Sequence, residues 1–283
     1  MIDKLGKVNF VSTVDLNRGY WQVPMAKGAR AKTAFVTPFD LFQFNVMPFG
    51  LQRAPATFQR LMDRVVHGME EYTAAYLDDL IIFSTCWTGH LEHLSAVLQM
   101  LKEAGLTVKA RKCQLGMKEC IYVGHIVGSR NVKPDLAKIE AVKQFPIPQT
   151  KKQVRAFLGL TGYYRWFIPN FSSLASPLTD LTKKTGHMTN IKWNAACSKA
   201  FQRLKDALCS KPVLKSPCFD QPFILQTDAS DRGVGAVLSQ YDESGDKHPI
   251  AYFSRKLLPR EQNYSTVEKE CPSIKLGIET FRV

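Results

Sequence analysis

The alternation of apolar and polar positions divides the chain into three differently built stretches. Phe10 to Asp15 is rich in β-branched residues and ends on a carboxylate, which predicts a strand. Phe42, Phe44 and Val46 alternate with Gln43 and Asn45 and predict another. Beyond Pro48 and Gly50, Pro55 can open a helix, because a missing N–H is harmless in the first turn. Phe58, Leu61, Met62, Val65 and Val66 then recur at helical spacing and form one apolar face. Tyr76 to Phe83 is an apolar run interrupted only by Asp78 and Asp79. Leu91, Leu94, Leu98 and Leu101 predict a second helix that Gly105 can end. Ile121 to Val127 reads as a short strand.

Helices follow. Pro134 is expected to start one carrying Leu136, Ile139 and Val142, which the Pro146-Ile147-Pro148 break ends. Thr150 with Gln153 forms a capping-box pattern ahead of Val154, Phe157 and Leu158. Asn194 can cap a further helix with Ala200, Phe201, Leu204 and Leu208 inward. From Pro222 strands return, over 223–228, 235–240 and 250–254, before a helix from about Ser265. The order is α+β, then helical, then α/β, without internal repeats or low-complexity segments.

Composition narrows this picture. Of 283 residues 45% are hydrophobic and 22% charged, the range of globular chains that bury a core. No window approaches a membrane span, and the charged opening Met1 to Lys7 has no apolar run behind it, so an intracellular, soluble, unsecreted protein is expected. Seven cysteines without Cys-x-x-Cys spacing predict reduced, mostly buried thiols. The formal net charge is +13. It is unevenly spread: residues 86–220 hold 21 basic and 8 acidic residues, whereas 1–85 hold 9 and 8 and 221–283 hold 8 and 9. A basic surplus confined to one stretch points to a polyanionic partner, nucleic acid first.

The acids sit where acids are costly. Asp78 and Asp79 are adjacent in apolar surroundings with no nearby base in sequence, so each opposes the other's ionisation, and a bound cation would relieve both. If the strand ending on Asp15 lies beside theirs in one antiparallel sheet, Asp15 and Asp78 can face each other across the pair and share metal ions. Mg²⁺ suits carboxylate oxygens and leaves places for phosphate and water, and a pair of ions can serve phosphoryl transfer. His90 and His93 stand at i, i+3 with no third ligand at a fitting spacing, which predicts a solvated helix face.

FVSTVDLNRGYWQV at 10–23, FNVMPFGL at 44–51, APATFQ at 54–59 and YLDD at 76–79 closely resemble successive palm motifs of reverse transcriptases, of the type found in gypsy LTR retrotransposons. The resemblance runs along essentially the whole chain. It implies an α+β palm over 1–130, with an antiparallel sheet, packed helices and the fingers largely missing. A helical thumb over 131–180, a connection over 181–220 and the first part of an α/β ribonuclease H-like fold over 221–283 would follow. It implies RNA-directed DNA polymerisation, with Asp15, Asp78 and Asp79 holding two Mg²⁺ ions (Mn²⁺ being an alternative) and the Leu16 carbonyl as a further ligand. Arg18 and Gly19 would offer N–H groups to the triphosphate, Tyr20 would gate against a sugar 2′-hydroxyl, and Phe49 and Gly50 would line the nucleotide pocket. Tyr122, Val123, Gly124 and His125 resemble the hairpin that grips the primer terminus, and the aromatic, basic stretch 157–168 would belong to the thumb. Implied partners are a primed RNA or DNA template, dNTPs and other Gag and Pol products of the element, with no membrane, in a cytoplasmic virus-like particle or the nucleus.

Residues 223–238 resemble the opening strands of a retroelement ribonuclease H, with Asp228 and Glu270 as metal ligands. Pro272 stands where the family usually carries Leu and is expected to kink its helix and misaim Glu270. Arg53 replaces a small polar residue. The resemblance further implies truncation at both ends and no intact ribonuclease H site. Two rival readings stay open: a non-catalytic nucleic-acid-binding remnant, and a hydrolase completed by a partner chain.

Overall fold

The computed structural model describes residues 8–183, 191–210 and 212–282. The charged opening Met1–Lys7 and residues 184–190 of the basic stretch lie outside the described residues. The chain divides into two compact units, Met1–Val123 with Val127–Arg130, and Gly124–Ile126 with Asn131–Val283. No described helix is long and apolar enough to cross a membrane.

The first unit contains β1 (Phe10–Asp15), α1 (Lys27–Arg30), a small ribbon of β2 (Phe35–Val36) and β3 (Leu41–Phe42), then α2 (Ala54–Val65), β4 (Thr73–Tyr76) and β5 (Asp79–Ser84). It continues with α3 (Trp87–Glu103), β6 (Gln114–Met117) and β7 (Glu119–Tyr122); after a two-residue turn comes β8 (His125–Gly128), whose first two residues count with the second unit and last two with the first. Its main sheet has the order β4-β5-β1-β6. Alternation along the strands puts Val14, Leu80 and Ile82 on one face, where they pack with Phe58 and Met62 of α2 and Val97 and Leu101 of α3. These side chains are at most 1% exposed, and burying each contributes about 1.5–3 kcal/mol. The same alternation puts Asp15 and Asp79 on the opposite face.

Several expectations change here. The strand expected at 42–46 shrinks to Leu41–Phe42, after which Val46 forms only an isolated bridge with Pro24. The run 121–127 is broken by a turn at Val123-Gly124, both with positive φ (44° and 66°). On α3 the buried line is His90, Val97 and Leu101, while Leu91 and Leu98 are exposed. His90 is therefore no solvated residue: its Nε2 meets Ser12 Oγ at 2.7 Å and its Nδ1 meets Ser84 Oγ at 3.0 Å. Ser84 Oγ also meets His93 Nδ1 at 2.8 Å, and Ser12 Oγ accepts the Gly116 N–H at 2.9 Å. A polar ring can occupy a core position because all its polar atoms are partnered. The leucine period alone concealed this.

The second unit runs β9 (Asn131–Pro134), α4 (Leu136–Lys143), α5 (Lys151–Tyr163), α6 (Phe171–Leu181), α7 (Ala195–Cys209) and β10 (Leu214–Lys215). It ends with an antiparallel sheet of β11 (Ile224–Ala229), β12 (Gly233–Tyr241) and β13 (Lys247–Lys256), then α8 (Pro259–Gln262) and α9 (Thr266–Phe281). The caps follow the sequence. Thr150 and Gln153 form a reciprocal box, Asn194 Oδ1 accepts the Cys197 N–H at 2.9 Å, and Ser265 and Glu268 form a second box. Pro134, however, ends β9, and Asp135 caps α4 by accepting the Ala137 N–H at 2.9 Å. Of the seven cysteines only Cys120 and Cys197 are buried, while Cys86 and Cys271 are exposed, so the thiols are not mostly buried.

Candidate active site

Asp15 is the last residue of β1 and the register partner of Asp79, the first residue of β5, so the acid that faces it across the strand pair is Asp79 and not Asp78, which lies in the turn. Tyr76 pairs with Asp79 to close the β4–β5 hairpin, which leaves Leu77 and Asp78 as its two-residue turn. Leu77 holds φ at 55°, a left-handed conformation that a branched side chain resists. Asp78 O accepts the Leu16 N–H at 3.0 Å, tying the turn to the residue that follows Asp15. Leu16 is 1% exposed and bridges Val108. Three carboxylates thus converge at one end of neighbouring strands. Asp79 is held above the ordinary carboxylate range, first by desolvation, then by the charges of Asp78 and Asp15, against a smaller opposing pull from Lys112.

Lys112 is a site residue that the sequence reading did not find. Its Nζ donates to Asp15 Oδ2 at 3.0 Å, and this bond, reinforced by the Asp15 charge, raises the Lys112 ammonium above its usual value. Spacing could not have exposed it, since 97 positions separate the pair. Gln22 was likewise unassigned. Its carboxamide donates to Asn17 O (2.7 Å) and Thr107 O (3.0 Å) and accepts the Thr107 N–H (2.7 Å), fastening the loop after Asp15 to the segment before Lys112.

Arg18 takes a left-handed backbone (φ 52°), its guanidinium lying 5.0 Å from the Trp21 ring centroid. Gly19 is buried, and a Cβ there would stand 2.8 Å from Phe58 Cζ and 3.2 Å from Asp78 Cβ, so only glycine lets this loop approach the carboxylates. Tyr20 lies between Phe49 and Phe58, each ring centroid 5.4 Å away. Burial, then the charge of Asp78, raises its phenol above the usual value. Phe49 is exposed and also meets Trp21 at 6.0 Å, and Gly50 follows at φ 91°. Tyr20, Phe49 and Gly19 are therefore grouped beside Asp78.

Tyr122 is 2% exposed, and burial followed by the charge of Asp79 raises its phenol. In the second unit, His125 is enclosed by the rings of Tyr163, Tyr164 and Phe167 at 5.4–5.8 Å. Tyr164 Oη donates to Gly124 O at 2.5 Å. Phe157, Tyr164 and Phe167 are buried, whereas Tyr163 and Trp166 are exposed, so the aromatic stretch divides between core and surface.

Asp228 lies on β11 opposite Gly235, on the sheet face that meets Asn170, whose Oδ1 is 3.1 Å from where a Gly235 Cβ would be. With Gln226, Asn170, Val237 and Tyr252 it lines a cavity of about 310 Å³. Gly277 of α9 packs on the other face, against Leu225 and Ala236. Pro272 does not end the helix: α9 is one helix from Thr266 to Phe281 with the proline inside it. The Glu270 carboxylate receives the Ser273 hydroxyl at 3.4 Å and does not join Asp228 in the lining of that cavity.

The donor set of Asp15, Asp78 and Asp79 fits a divalent cation: hard oxygen ligands whose mutual repulsion an added positive charge relieves. Lys112 supplies part of that charge in this conformation. Among the described residues, the trio of potential ligand atoms within 4.8 Å of one another is instead Asp242, Asp246 and His248. There Asp242 is already engaged by His248 at 2.6 Å and Lys215 at 3.3 Å, and the backbone N–H groups of Asp246 and Ser244 help hold its carboxyl down at about 2.

Known proteins resemble this chain in sequence and in fold. Residues 1–127 match the family "Reverse transcriptase (RNA-dependent DNA polymerase)", and residues 193–283 match "RNase H-like domain found in reverse transcriptase". Over its whole length the chain is 42% identical to the retrovirus-related Pol polyprotein from transposon 297 of Drosophila melanogaster, covering 26% of that protein. It is 39% identical to that from transposon gypsy of the same organism, over 97% of this chain and 27% of the relative. The chain thus spans about a quarter of the length of these relatives. A foamy viral protease-reverse transcriptase dRH in complex with double-stranded DNA superposes with a TM-score of 0.84 at 25% identity, over 97% of this chain and 48% of that one. A foamy viral protease-reverse transcriptase in complex with RNA/DNA hybrid gives 0.85 at 24% identity, over 99% of this chain and 38% of that one. By residues 1–127 the chain belongs to the reverse transcriptases and by residues 193–283 to the ribonuclease H-like domains found in them, the two domains it shares with retrotransposon Pol polyproteins.

Proposed function

We propose that this chain performs the polymerase step of a retrotransposon: template-directed addition of dNTPs to a primer 3′-hydroxyl, with release of pyrophosphate. The reading rests on one observation, the convergence of Asp15, Asp78 and Asp79 at the end of β1 and the β4–β5 turn. In it, Asp15, Asp78 and Asp79 hold divalent cations, Mg²⁺ by preference, which neutralise phosphate charge and favour ionisation of the 3′-hydroxyl. Arg18 and Gly19 receive the triphosphate through backbone N–H groups, and Gly19, by lacking a side chain, lets that loop lie close to Asp78. Tyr20, wedged between Phe49 and Phe58, presents a fixed wall to the sugar and disfavours a 2′-hydroxyl. Tyr122 to His125 hold the primer end.

We assign residues 1–130 as palm, 131–180 as thumb, 181–220 as connection and 221–283 as ribonuclease H-like. The basic stretch 86–220 meets the template–primer through phosphates, independently of sequence. The opposite-face placement of Asp228 and α9 favours duplex contact over hydrolysis in the last region. Primer extension on an RNA template with Mg²⁺ and dNTPs tests the proposal. Extension that Asp78→Asn abolishes supports it, and duplex binding without extension by the unaltered chain leaves a binding remnant.

A further inference from the structure

The structure assigns to Gln59 the positioning of the Asp78-Asp79 turn, an inference that rests on the polymerase reading above for its effect on rate. Gln59 lies on α2, beside no carboxylate of the site in sequence, and carries no charge. Its whole carboxamide is nonetheless spent near the turn. Oε1 accepts the Leu77 N–H at 2.8 Å, while Nε2 donates to Ala75 O at 3.0 Å and to Asp63 Oδ1 at 2.9 Å. Ala75 belongs to β4, the edge strand of the sheet, so among the described residues no further strand lies beyond it to fasten the hairpin on that side. One side chain therefore grips both the strand entering the turn and the first residue of the turn itself.

The grip falls where the backbone most needs it. Leu77 is a non-glycine residue at φ 55°, and its conformation must be over-determined by its surroundings to persist. Asp63, one turn further along α2, fixes the other amide hydrogen and so sets which way the carboxamide faces. The residue before Gln59 is Phe58, which is fully buried and is the nearest obstacle to a side chain on Gly19. Adjacent residues of one helix thus register two parts of the site: Phe58 sets the Gly19 loop and Gln59 sets the carboxylate turn. Without Gln59, Leu77 can relax toward ordinary φ, carrying Asp78 and Asp79 with it.

Gln59→Met keeps the length and removes the hydrogen bonds. Leu77→Gly removes the backbone penalty that the bonds offset. Single-turnover primer extension at saturating dNTP should be slower in Gln59→Met by about tenfold to a hundredfold, the scale of a sub-ångström to 1 Å misplacement, with template–primer affinity unchanged. The double variant Gln59→Met/Leu77→Gly should regain part of the lost rate, which a purely structural role for Gln59 would not produce. The Leu77 amide should exchange its hydrogen fast in Gln59→Met and slowly in the unaltered chain. An unchanged rate in Gln59→Met, or a double variant no faster than it, overturns the inference. Should the unaltered chain extend no primer, the polymerase reading falls by itself, and the amide decides the positioning claim: equal exchange in both proteins refutes it and faster exchange in Gln59→Met upholds it.

Discussion

Asp15 and Asp79 are direct partners in the antiparallel pairing of β1 with β5, the last pair before the strands part, and they share the sheet face opposite the helices α2 and α3. Two acids in facing positions destabilise a ladder unless something compensates. Here Lys112 compensates in part.

The carboxylate cluster predicts a conflict between stability and function. The Asp79 carboxyl is raised, so folding favours its protonated form; the cost of its charge is present at neutral pH and is relieved as pH falls through its folded-state value. Asp79→Asn should therefore stabilise the metal-free protein at pH 7, by less than about 1 kcal/mol because the carboxyl is only partly desolvated and solvent screens the charges around it. Thermal melts with and without Mg²⁺ check this: the ion should stabilise the unaltered chain more than the variant.

His90 predicts the opposite dependence. Burial, and secondarily His93, holds its imidazole below the usual value, so the stability it supports is complete above the unfolded-state value near 6.5 and is lost as pH falls through the lower folded-state value. Replacing His90 with Ala leaves Ser12 Oγ with the Gly116 N–H and Ser84 Oγ with His93 as partners, so the two lost hydrogen bonds should cost about 0.5–1.5 kcal/mol each, with a cavity term in addition. Urea titrations at pH 5 and pH 8 should show a large gap between the two proteins at pH 8 and a smaller one at pH 5.

At Gly19 the prediction is steric. Gly19→Ala puts a methyl 2.8 Å from Phe58 Cζ and 3.2 Å from Asp78 Cβ. The strain should cost about 1–3 kcal/mol of stability and slow extension more than it weakens dNTP binding. Phe58→Leu in the same chain should return part of the rate. If Gly19→Ala extends normally, the close approach is not needed for the reaction.

How far the sequence could be read depended on what each element's residues encode locally. β1 emerges with the ends its β-branched run predicts, and the caps of α5, α7 and α9 are written in adjacent residues. His90 was misread because apolar period says nothing of a ring satisfied by two serines from other strands. Lys112 and Gln59 escaped for a related reason: their partners are distant in sequence or are backbone atoms without a signature. The Asp15, Asp78 and Asp79 set was legible because charge in an apolar strand end is costly wherever it occurs.

Pro272 carries the clearest conflict between local propensity and structure. α9 persists through it although proline removes one helix hydrogen bond, so packing at Ser273 and Gly277, both buried, must outweigh the penalty. Pro272→Leu should stabilise the second unit by up to about 3 kcal/mol, read as a higher melting temperature. An unchanged melting temperature would mean that the helix has already absorbed the proline by local adjustment.

The central claim is that Asp15, Asp78 and Asp79 form a nucleotidyl-transfer site, and primer extension on an RNA template with Mg²⁺ tests it most directly. The account predicts extension by the unaltered chain, abolished in Asp15→Asn and in Asp78→Asn while each variant still binds the template–primer duplex. Extension that survives either substitution would contradict it.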